Sequence, residues 1–184
     1  YINLLLQAGF DSIDFGSFVS PKAIPQMADT REVLQLLDLS QTSTRLLAIV
    51  ANQRGASEAV AYDQISYLGF PFSVSETFQQ RNTNSSIAES LTRVEEIQEL
   101  CVKTGKELVI YISMGFGNPY GDQYDEEQVF EWVNRLVGMD IGIISLADTV
   151  GLATPAQVYS MTSYLVELLP GTEIVVHLHS TPHN

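Results

Sequence analysis

Residues 86–113, SIAESLTRVEEIQELCVKTGKELVIYIS, contain one helix followed by one strand, and this unit indicates how the rest of the chain is built. Ser86 and Glu89 have the spacing of a capping box, in which each side chain bonds the other residue's backbone N–H, so a helix is predicted to begin there. Gly105 predicts its end. The apolar run Glu107–Ser113 is predicted to be a strand that is covered on both faces.

The same alternation of helical and strand patterns continues through the chain. Six short runs rich in Ile and Val are predicted strands: Ser12–Phe15, Arg45–Ala51, Gln64–Leu68, Glu107–Ser113, Gly142–Leu146 and Glu173–His177. Helical patterns lie between them, with clear start signals at Ser86, Asp125 and Thr154. Another helical pattern, Ile2–Ala8, opens the chain and ends at Gly9. The sequence has neither a hairpin signal nor a linker, so residues 1–184 are predicted to form one α/β domain with a parallel sheet.

Parallel strands joined by right-handed crossovers leave two architectures, a closed (β/α)₈ barrel and an open doubly wound sheet. Periodicity alone does not choose between them. The G-x-G-x-x-G fingerprint of many doubly wound sheets is absent after the first predicted strand, which weakens the second architecture. Six strands are two fewer than a barrel contains. We therefore predict an incomplete (β/α)₈ TIM barrel whose first strand and last unit lie outside this sequence.

Charge and cysteine content exclude several classes of function. The net charge of −13 argues against nucleic-acid binding, which needs clustered Lys and Arg, and against binding to an anionic membrane surface. The single cysteine, Cys101, cannot form an internal disulfide, so a cytoplasmic location is predicted. Cys101 lies on an apolar helical stripe, which indicates a core residue rather than a nucleophile.

The chemistry of a parallel α/β protein lies at the carboxyl ends of its strands, and two histidines end the last predicted strand. Residues two apart in a strand point to the same face, so His177 and His179 can reach one metal ion while Leu178 packs outward. A pair of hydrogen-bonded histidines is the alternative. All three histidines of the chain, including His183, fall within its last eight residues.

Two aspartates and two cations are further candidates. Asp148 ends a predicted strand, where it can bind a metal, orient a histidine or transfer a proton; it can equally be an Asx-turn residue that only shapes the loop. Asp14 has the same ambiguity, although burying its carboxylate costs free energy unless it is paired. Lys22 and Arg81 are candidates for binding phosphate groups, and the alternative for each is a solvated charge.

Several segments together resemble the 3-hydroxy-3-methylglutaryl-CoA lyase family. FGSFVSPK at 15–22, followed by PQMAD at 25–29, is similar to the family's S-F-V-S-P-K…P-Q-M-x-D run. NTNSSIAES at 82–90 resembles N-x-N-x-S-x-x-E-S, SLADTVG at 145–151 resembles S-L-x-D-T-x-G, and VHLH at 176–179 resembles V-H-x-H. The matches occur in family order over nearly the whole chain.

The resemblance implies a TIM-barrel enzyme that cleaves 3-hydroxy-3-methylglutaryl-CoA into acetyl-CoA and acetoacetate with Mg²⁺ or Mn²⁺. His177 and His179 take the positions of the metal-binding histidines, and Asp148 and Asp14 are the catalytic candidates. The acyl-CoA substrate is expected to contact six residues: Ser17, Asn82, Ser86, Ser145, Lys22 and Arg81. A homodimer is also implied. The family's other two metal ligands and its reactive cysteine are expected outside this sequence.

The sequence departs from the family pattern at three places. Asp14 stands where the family usually has glutamate, Ser180 follows the second histidine where aspartate is frequent, and Asn118 replaces a frequent cysteine. These differences leave the fold intact but put the substrate's acyl group in question. Two alternatives remain: a related Claisen condensing enzyme of the isopropylmalate or homocitrate synthase type, and a metal-binding barrel without catalytic activity.

Overall fold

The computed structural model describes residues 1–180. Within this range there are six strands, namely β1 Ser12–Ser17, β2 Arg45–Ile49, β3 Ile65–Ser73, β4 Glu107–Ser113, β5 Ile143–Ala147 and β6 Glu173–His177. The α-helices of the same range are α1 Ile2–Leu6, α2 Thr30–Gln35, α3 Gln53–Ala59, α4 Glu76–Thr83, α5 Ile87–Thr104, α6 Glu126–Val137 and α7 Pro155–Leu168, with a short 3₁₀ helix at Pro25–Met27.

The strands form one sheet in chain order, β1-β2-β3-β4-β5-β6. The pairs β1–β2, β2–β3, β4–β5 and β5–β6 are parallel, and at least one helix connects each strand to the next. A doubly wound sheet reverses its strand order at a switch point, whereas a (β/α)₈ barrel keeps the chain order throughout. The chain is therefore an incomplete (β/α)₈ barrel, as the sequence predicts, and the doubly wound alternative is wrong.

The chain divides into two compact units, each with its own core. One comprises residues 1–69 and 99–107, and the other residues 70–98 and those from 108 onward. In the second unit, β4 and β5 are apolar and buried along most of their length, which agrees with strands covered on both faces. β6 is mostly exposed, and among the described residues it pairs only with β5. The single domain over residues 1–184 stays a prediction.

The local sequence signals are confirmed. Ser86 and Glu89 form the capping box, with their backbone N–H groups bonded to each other's side chains at 2.8 and 3.1 Å. Asp125 accepts the N–H of Gln128, and Thr154 caps α7 in the same way. The predicted bounds of β4 and β6 are the observed ones.

Two parts of the predicted pattern are wrong. β3 continues to Ser73, beyond its predicted end at Leu68, because residues 69–73 remain mostly buried and extended. The residues from Glu76 to Thr83, where no helix start was predicted, form α4, which Ser75 caps by accepting the N–H of Phe78 at 3.1 Å. Within the described residues, no helix is long and apolar enough to cross a membrane.

In the first unit, α3 packs closely against the loop after β1. A Cβ atom added at Gly55 would lie 2.6 Å from the backbone carbonyl oxygen of Phe18. A glycine inside a helix normally costs about 1 kcal/mol relative to alanine. Here the close approach requires glycine, because the atom that would have to move belongs to backbone.

Gly55→Ala is therefore expected to destabilise the protein by about 1–3 kcal/mol, the usual cost of overpacking, although alanine favours helices. Gly142→Ala is the matched control, because a Cβ atom at Gly142 has no neighbour within 4 Å. Thermal unfolding of the two variants measures the difference. A Gly55→Ala variant as stable as the wild type would contradict the packing described.

Cys101 is fully buried on α5, as its place on the apolar stripe predicts. Burial raises the pKa of its thiol to about 12. The thiolate is the reactive form of cysteine, so this side chain is not a nucleophile near neutral pH.

Iodoacetamide at pH 8 should accordingly leave Cys101 unmodified in the native protein and alkylate it after unfolding. Peptide mass spectrometry identifies the modified position and separates Cys101 from any other thiol. Stoichiometric native labelling within minutes would contradict the buried position.

Candidate active site

The β5–β6 pairing brings Asp148 beside the histidine pair. Ala147 at the end of β5 pairs with His177 at the end of β6, and the next backbone N–H, that of Asp148, donates to the His177 carbonyl at 2.9 Å. Asp148 is 4% exposed, and its Oδ1 accepts the N–H of Leu152 at 2.7 Å. The carboxylate therefore shapes the loop that follows β5, and the backbone N–H of the same residue contacts His177.

The two imidazoles lie on the same side of the chain, as the H-x-H spacing predicts. The ring centroids of His177 and His179 are 5.2 Å apart, and both residues are exposed. Tyr111 of β4 meets the His177 ring edge-on at 5.7 Å. Tyr111 was not among the predicted site residues. Its position near the carboxyl end of a strand was visible in the sequence, but its contact with His177 depends on the register of three strands.

A cavity of about 750 Å³ adjoins this end of the sheet. Asp148 and His179 line it together with Leu178 and Ser180. The opposite wall is formed by the β5–α7 loop and α7, including Tyr159. This volume is in the range of small-molecule sites, which usually combine apolar walls with a few polar groups.

The histidine pair suits part of a metal site. Imidazole nitrogens bind divalent metals, and two neighbouring rings at a strand end can supply two ligands to one ion. Between residues 1 and 180, however, no group of three or more His, Cys, Asp or Glu side chains is arranged to hold a metal ion. The described residues thus fit two ligands of a larger set. His183, the third histidine, lies outside the described residues.

Ser145 lies in the same unit as the histidines. It is buried in β5, where it pairs with Tyr111 on one side and Val175 on the other. Asn82 is exposed near the end of α4, and Arg81 lies in its last turn. The Ser86 hydroxyl accepts the N–H of Glu89 and also lies 3.1 Å from the Glu89 carboxylate, so it is already engaged in the capping box.

Three predicted site residues belong to the first unit. Asp14 is an exposed residue of β1, so its carboxylate does not bear the burial cost considered for it, and Lys22 is exposed in the following loop. Ser17 is buried, and its hydroxyl accepts the N–H of Val19 at 3.1 Å. The cavity beside Ser17 measures only about 20 Å³, which is room for about one water molecule.

Hydrogen bonds hold the loop between β4 and α6 in place. The Met114 N–H donates to Thr149 Oγ1 at 2.8 Å, and the Gly115 N–H donates to the Ala147 carbonyl at 3.2 Å. The Tyr124 hydroxyl donates to the Gly115 carbonyl at 3.0 Å and accepts a hydrogen bond from α7. Burial raises the pKa of Tyr124 to about 12, so the hydroxyl keeps its proton.

Comparison with known proteins agrees with this arrangement. Residues 1–183 match the pattern of the HMGL-like family. The chain belongs to the HMGL-like family. It is 35% identical over 182 residues to the mitochondrial hydroxymethylglutaryl-CoA lyase of Bos taurus, covering 98% of this chain and 55% of that enzyme. It is 34% identical over 181 residues to the hydroxymethylglutaryl-CoA lyase of Bacillus subtilis, covering 98% of this chain and 60% of that enzyme.

Solved structures of HMGL-like proteins have the same fold. An HMG-CoA lyase from Acinetobacter baumannii in complex with coenzyme A and 3-methylmalate superposes with a TM-score of 0.90 at 31% identity, covering 98% of this chain and 58% of that one. The Bacillus subtilis HMG-CoA lyase gives 0.89 at 34% identity, with 97% and 59% covered. The chain thus spans between half and two thirds of the length of each of these relatives.

The capping role of Ser86 gives a test that is independent of substrate binding. Ser86→Ala should lower stability by about 1 kcal/mol, the usual contribution of an N-cap, and Ser86→Thr should retain most of it. Ser160→Ala, an exposed change inside α7, is the control that should cost nothing, because alanine favours helices. Urea unfolding measures all three. Equal stability of Ser86→Ala and Ser160→Ala would contradict the capping role.

Proposed function

We propose that this chain is the metal-binding and substrate-binding part of a divalent-metal-dependent lyase that cleaves 3-hydroxy-3-methylglutaryl-CoA into acetyl-CoA and acetoacetate. The observation that supports it most directly is the pairing of the His177 and His179 imidazoles beside Asp148 at the carboxyl ends of β5 and β6. The lyases among its relatives supply the substrate class. Metal dependence is general in the HMGL-like family.

His177 and His179 would hold the ion, and both must be neutral to do so. Mg²⁺ and Mn²⁺ are the ions we propose. A bound divalent ion supplies Lewis-acid polarisation of the substrate oxygen next to the bond that breaks. Asp148 is held by the Leu152 N–H, so its carboxylate has a fixed direction from which to orient the neighbouring histidine or take up a proton.

The reaction is a retro-Claisen cleavage. A base removes the proton of the tertiary hydroxyl, the carbon–carbon bond breaks, and acetoacetate forms as the new carbonyl compound. The electron pair remains on the acetyl-CoA carbon, which an acid then protonates. Asp148 and Asp14 are the carboxylates that we propose for these proton transfers.

Substrate contacts and assembly belong to the same proposal. The acyl-CoA contacts that we propose come from six side chains: Ser17, Lys22, Arg81, Asn82, Ser86 and Ser145. Because the Ser86 hydroxyl already caps α5, its contact with substrate would be additional to that role. A homodimer is proposed as well. The relatives include both mitochondrial and cytoplasmic enzymes, so a cytoplasmic location stays a prediction.

The condensing-enzyme alternative is not favoured, because the relatives and solved structures reported above are all named as lyases. A family member that binds metal without catalysing the cleavage is the remaining alternative. An activity assay distinguishes this alternative from the lyase, since either one would bind the ion through the same histidines.

The test is release of acetoacetate from 3-hydroxy-3-methylglutaryl-CoA by the full-length protein with Mg²⁺ or Mn²⁺. His177→Ala and His179→Ala should each reduce the rate at least about a hundredfold, since even outer-shell changes at metal sites cost about 10–100-fold. Asp148→Asn should reduce it too, whereas Asp140→Asn, at an exposed position, should not.

Metal titration by calorimetry on the same variants separates the possible failures. Weaker Mn²⁺ binding together with loss of activity in His177→Ala is the expected result. Cleavage that needs no metal, or that His177→Ala leaves unchanged, would contradict the proposed site. Stoichiometric metal binding without cleavage in the wild type would identify the non-catalytic alternative.

A further inference from the structure

A second polar cluster connects the β4–α6 loop to the start of α4, and none of the predicted site residues belongs to it. The Asp122 carboxylate accepts three hydrogen bonds. Its Oδ2 accepts from the Ser75 hydroxyl at 2.5 Å and the Thr77 N–H at 2.9 Å, and its Oδ1 accepts from the Thr77 hydroxyl at 2.8 Å. The bonds from Ser75 and then Thr77 lower the pKa of Asp122. The loop is therefore held to the first turn of α4 through a carboxylate that is ionised at neutral pH.

Asn118 makes the loop itself rigid. Its side-chain oxygen accepts the N–H groups of Tyr120 and Asp122 at 3.0 and 3.2 Å, and its side-chain nitrogen donates to the Asp122 carbonyl at 3.0 Å. Asn118 thus holds the Tyr120 N–H, and it also ties Asp122 to the same loop.

Tyr120 lies against two residues of α4. Its ring stacks on Phe78 with centroids 6.4 Å apart, and the Arg81 guanidinium carbon lies 4.8 Å from the ring centroid. Stacking on an aromatic ring holds a guanidinium in a defined plane while its N–H groups remain available. Across the described residues, the Arg81 guanidinium makes no hydrogen bond to a protein acceptor, so these donors can take a ligand.

The ionised Asp122 carboxylate is stabilised mainly by groups other than Arg81. Three donors, one of them a backbone N–H in the first turn of α4, stabilise the Asp122 carboxylate. The positive end of the α4 dipole adds to that stabilisation. Arg81, in the last turn of the same helix, contributes to the lowered pKa of Asp122 only as the weakest cause. A guanidinium placed in advance binds a phosphate with less loss of side-chain entropy.

We propose that Asp122 is a positioning residue, which acts through Tyr120 to hold the Arg81 guanidinium ready for a phosphate group of the acyl-CoA substrate. This inference rests on the proposed function. α4 directly follows β3 and the loop directly follows β4, so both belong to the carboxyl ends of the strands, where a barrel binds its substrate.

Two thioesters, one with the phosphates of coenzyme A and one without these phosphates or the adenosine, test the inference in the full-length protein. One is 3-hydroxy-3-methylglutaryl-CoA, and the other is the corresponding pantetheine thioester, which carries no phosphate. Asp122→Asn and Arg81→Gln should each raise KM for the CoA thioester about tenfold, the loss expected for a charge-assisted contact. We expect kcat to change by less than about twofold, and KM for the pantetheine thioester to stay unchanged.

The double variant distinguishes positioning from an independent role. If Asp122 acts through Arg81, the Asp122→Asn/Arg81→Gln double variant should have a KM for the CoA thioester no higher than that of Arg81→Gln alone. Thr77→Val removes the hydroxyl donor to Asp122 and keeps the backbone N–H. It should raise KM for the CoA thioester by less than Asp122→Asn does. Arg135→Gln is the matched control, because Arg135 also stacks on an aromatic ring, Trp132, at 5.4 Å.

Two results would overturn the inference: an equal rise in KM for both thioesters, or additive effects in the double variant. Affinities for coenzyme A and pantetheine, measured by calorimetry, test the positioning role of Asp122 without turnover of substrate. If the wild type cleaves neither thioester, the proposed lyase function fails. A tenfold selective loss of coenzyme A affinity in Asp122→Asn would then still support the positioning role, and no selective loss would refute it.

Discussion

The hydrogen bond from the Asp148 backbone N–H to the His177 carbonyl extends the parallel pairing of β5 and β6 one residue past the end of β5. Because parallel pairing has a fixed register, this bond determines which residue of the β5–α7 loop lies beside the histidines. It places the backbone of Asp148 next to that of His177, and the alternation of side chains along the strand direction places His179 on the same side as His177. The rest of the candidate site is arranged around these three residues.

The loops around them are held by contacts between residues far apart in sequence. Thr149 of the β5–α7 loop accepts the Met114 N–H, and Tyr124 connects Gly115 to α7 through Gln157. These bonds join the loop after β4 to the loop after β5 and to α7. A site built on strand ends and on loops that hydrogen bonds hold in place loses little conformational entropy when a ligand binds. Such a site can hold its substrate in a defined orientation.

Local chemistry explains which features the sequence could predict. The strand β4 is an uninterrupted apolar run, and the caps at Ser86, Asp125 and Thr154 act within one helical turn, so a single segment contains all the information needed. The H-x-H pair is equally local, since strand alternation alone puts both rings on one side. The family resemblance supplied the substrate class and the identity of the metal. Neither can be read from the periodicity of apolar residues.

The features that could not be predicted depend on distant partners. The cap at Ser75 is a local signal for α4, whereas Asp122, 47 residues later, completes the hydrogen bonding of that first turn and has no signal near Ser75. Tyr111 reaches His177 only through the register of β4, β5 and β6. The Asp148 carboxylate shapes the following loop through the Leu152 N–H, and its role in metal binding or proton transfer stays a prediction.

The central claim is that the two imidazoles bind one divalent ion, and nitrogen couplings to bound Mn²⁺ test it most directly. Electron spin echo envelope modulation of the full-length protein, loaded with one equivalent of Mn²⁺ and labelled with ¹⁵N-histidine, should detect two coupled imidazole nitrogens. His177→Ala and His179→Ala should each leave one. A spectrum without histidine nitrogen coupling, at stoichiometric Mn²⁺ binding, would place the ion elsewhere and contradict the account.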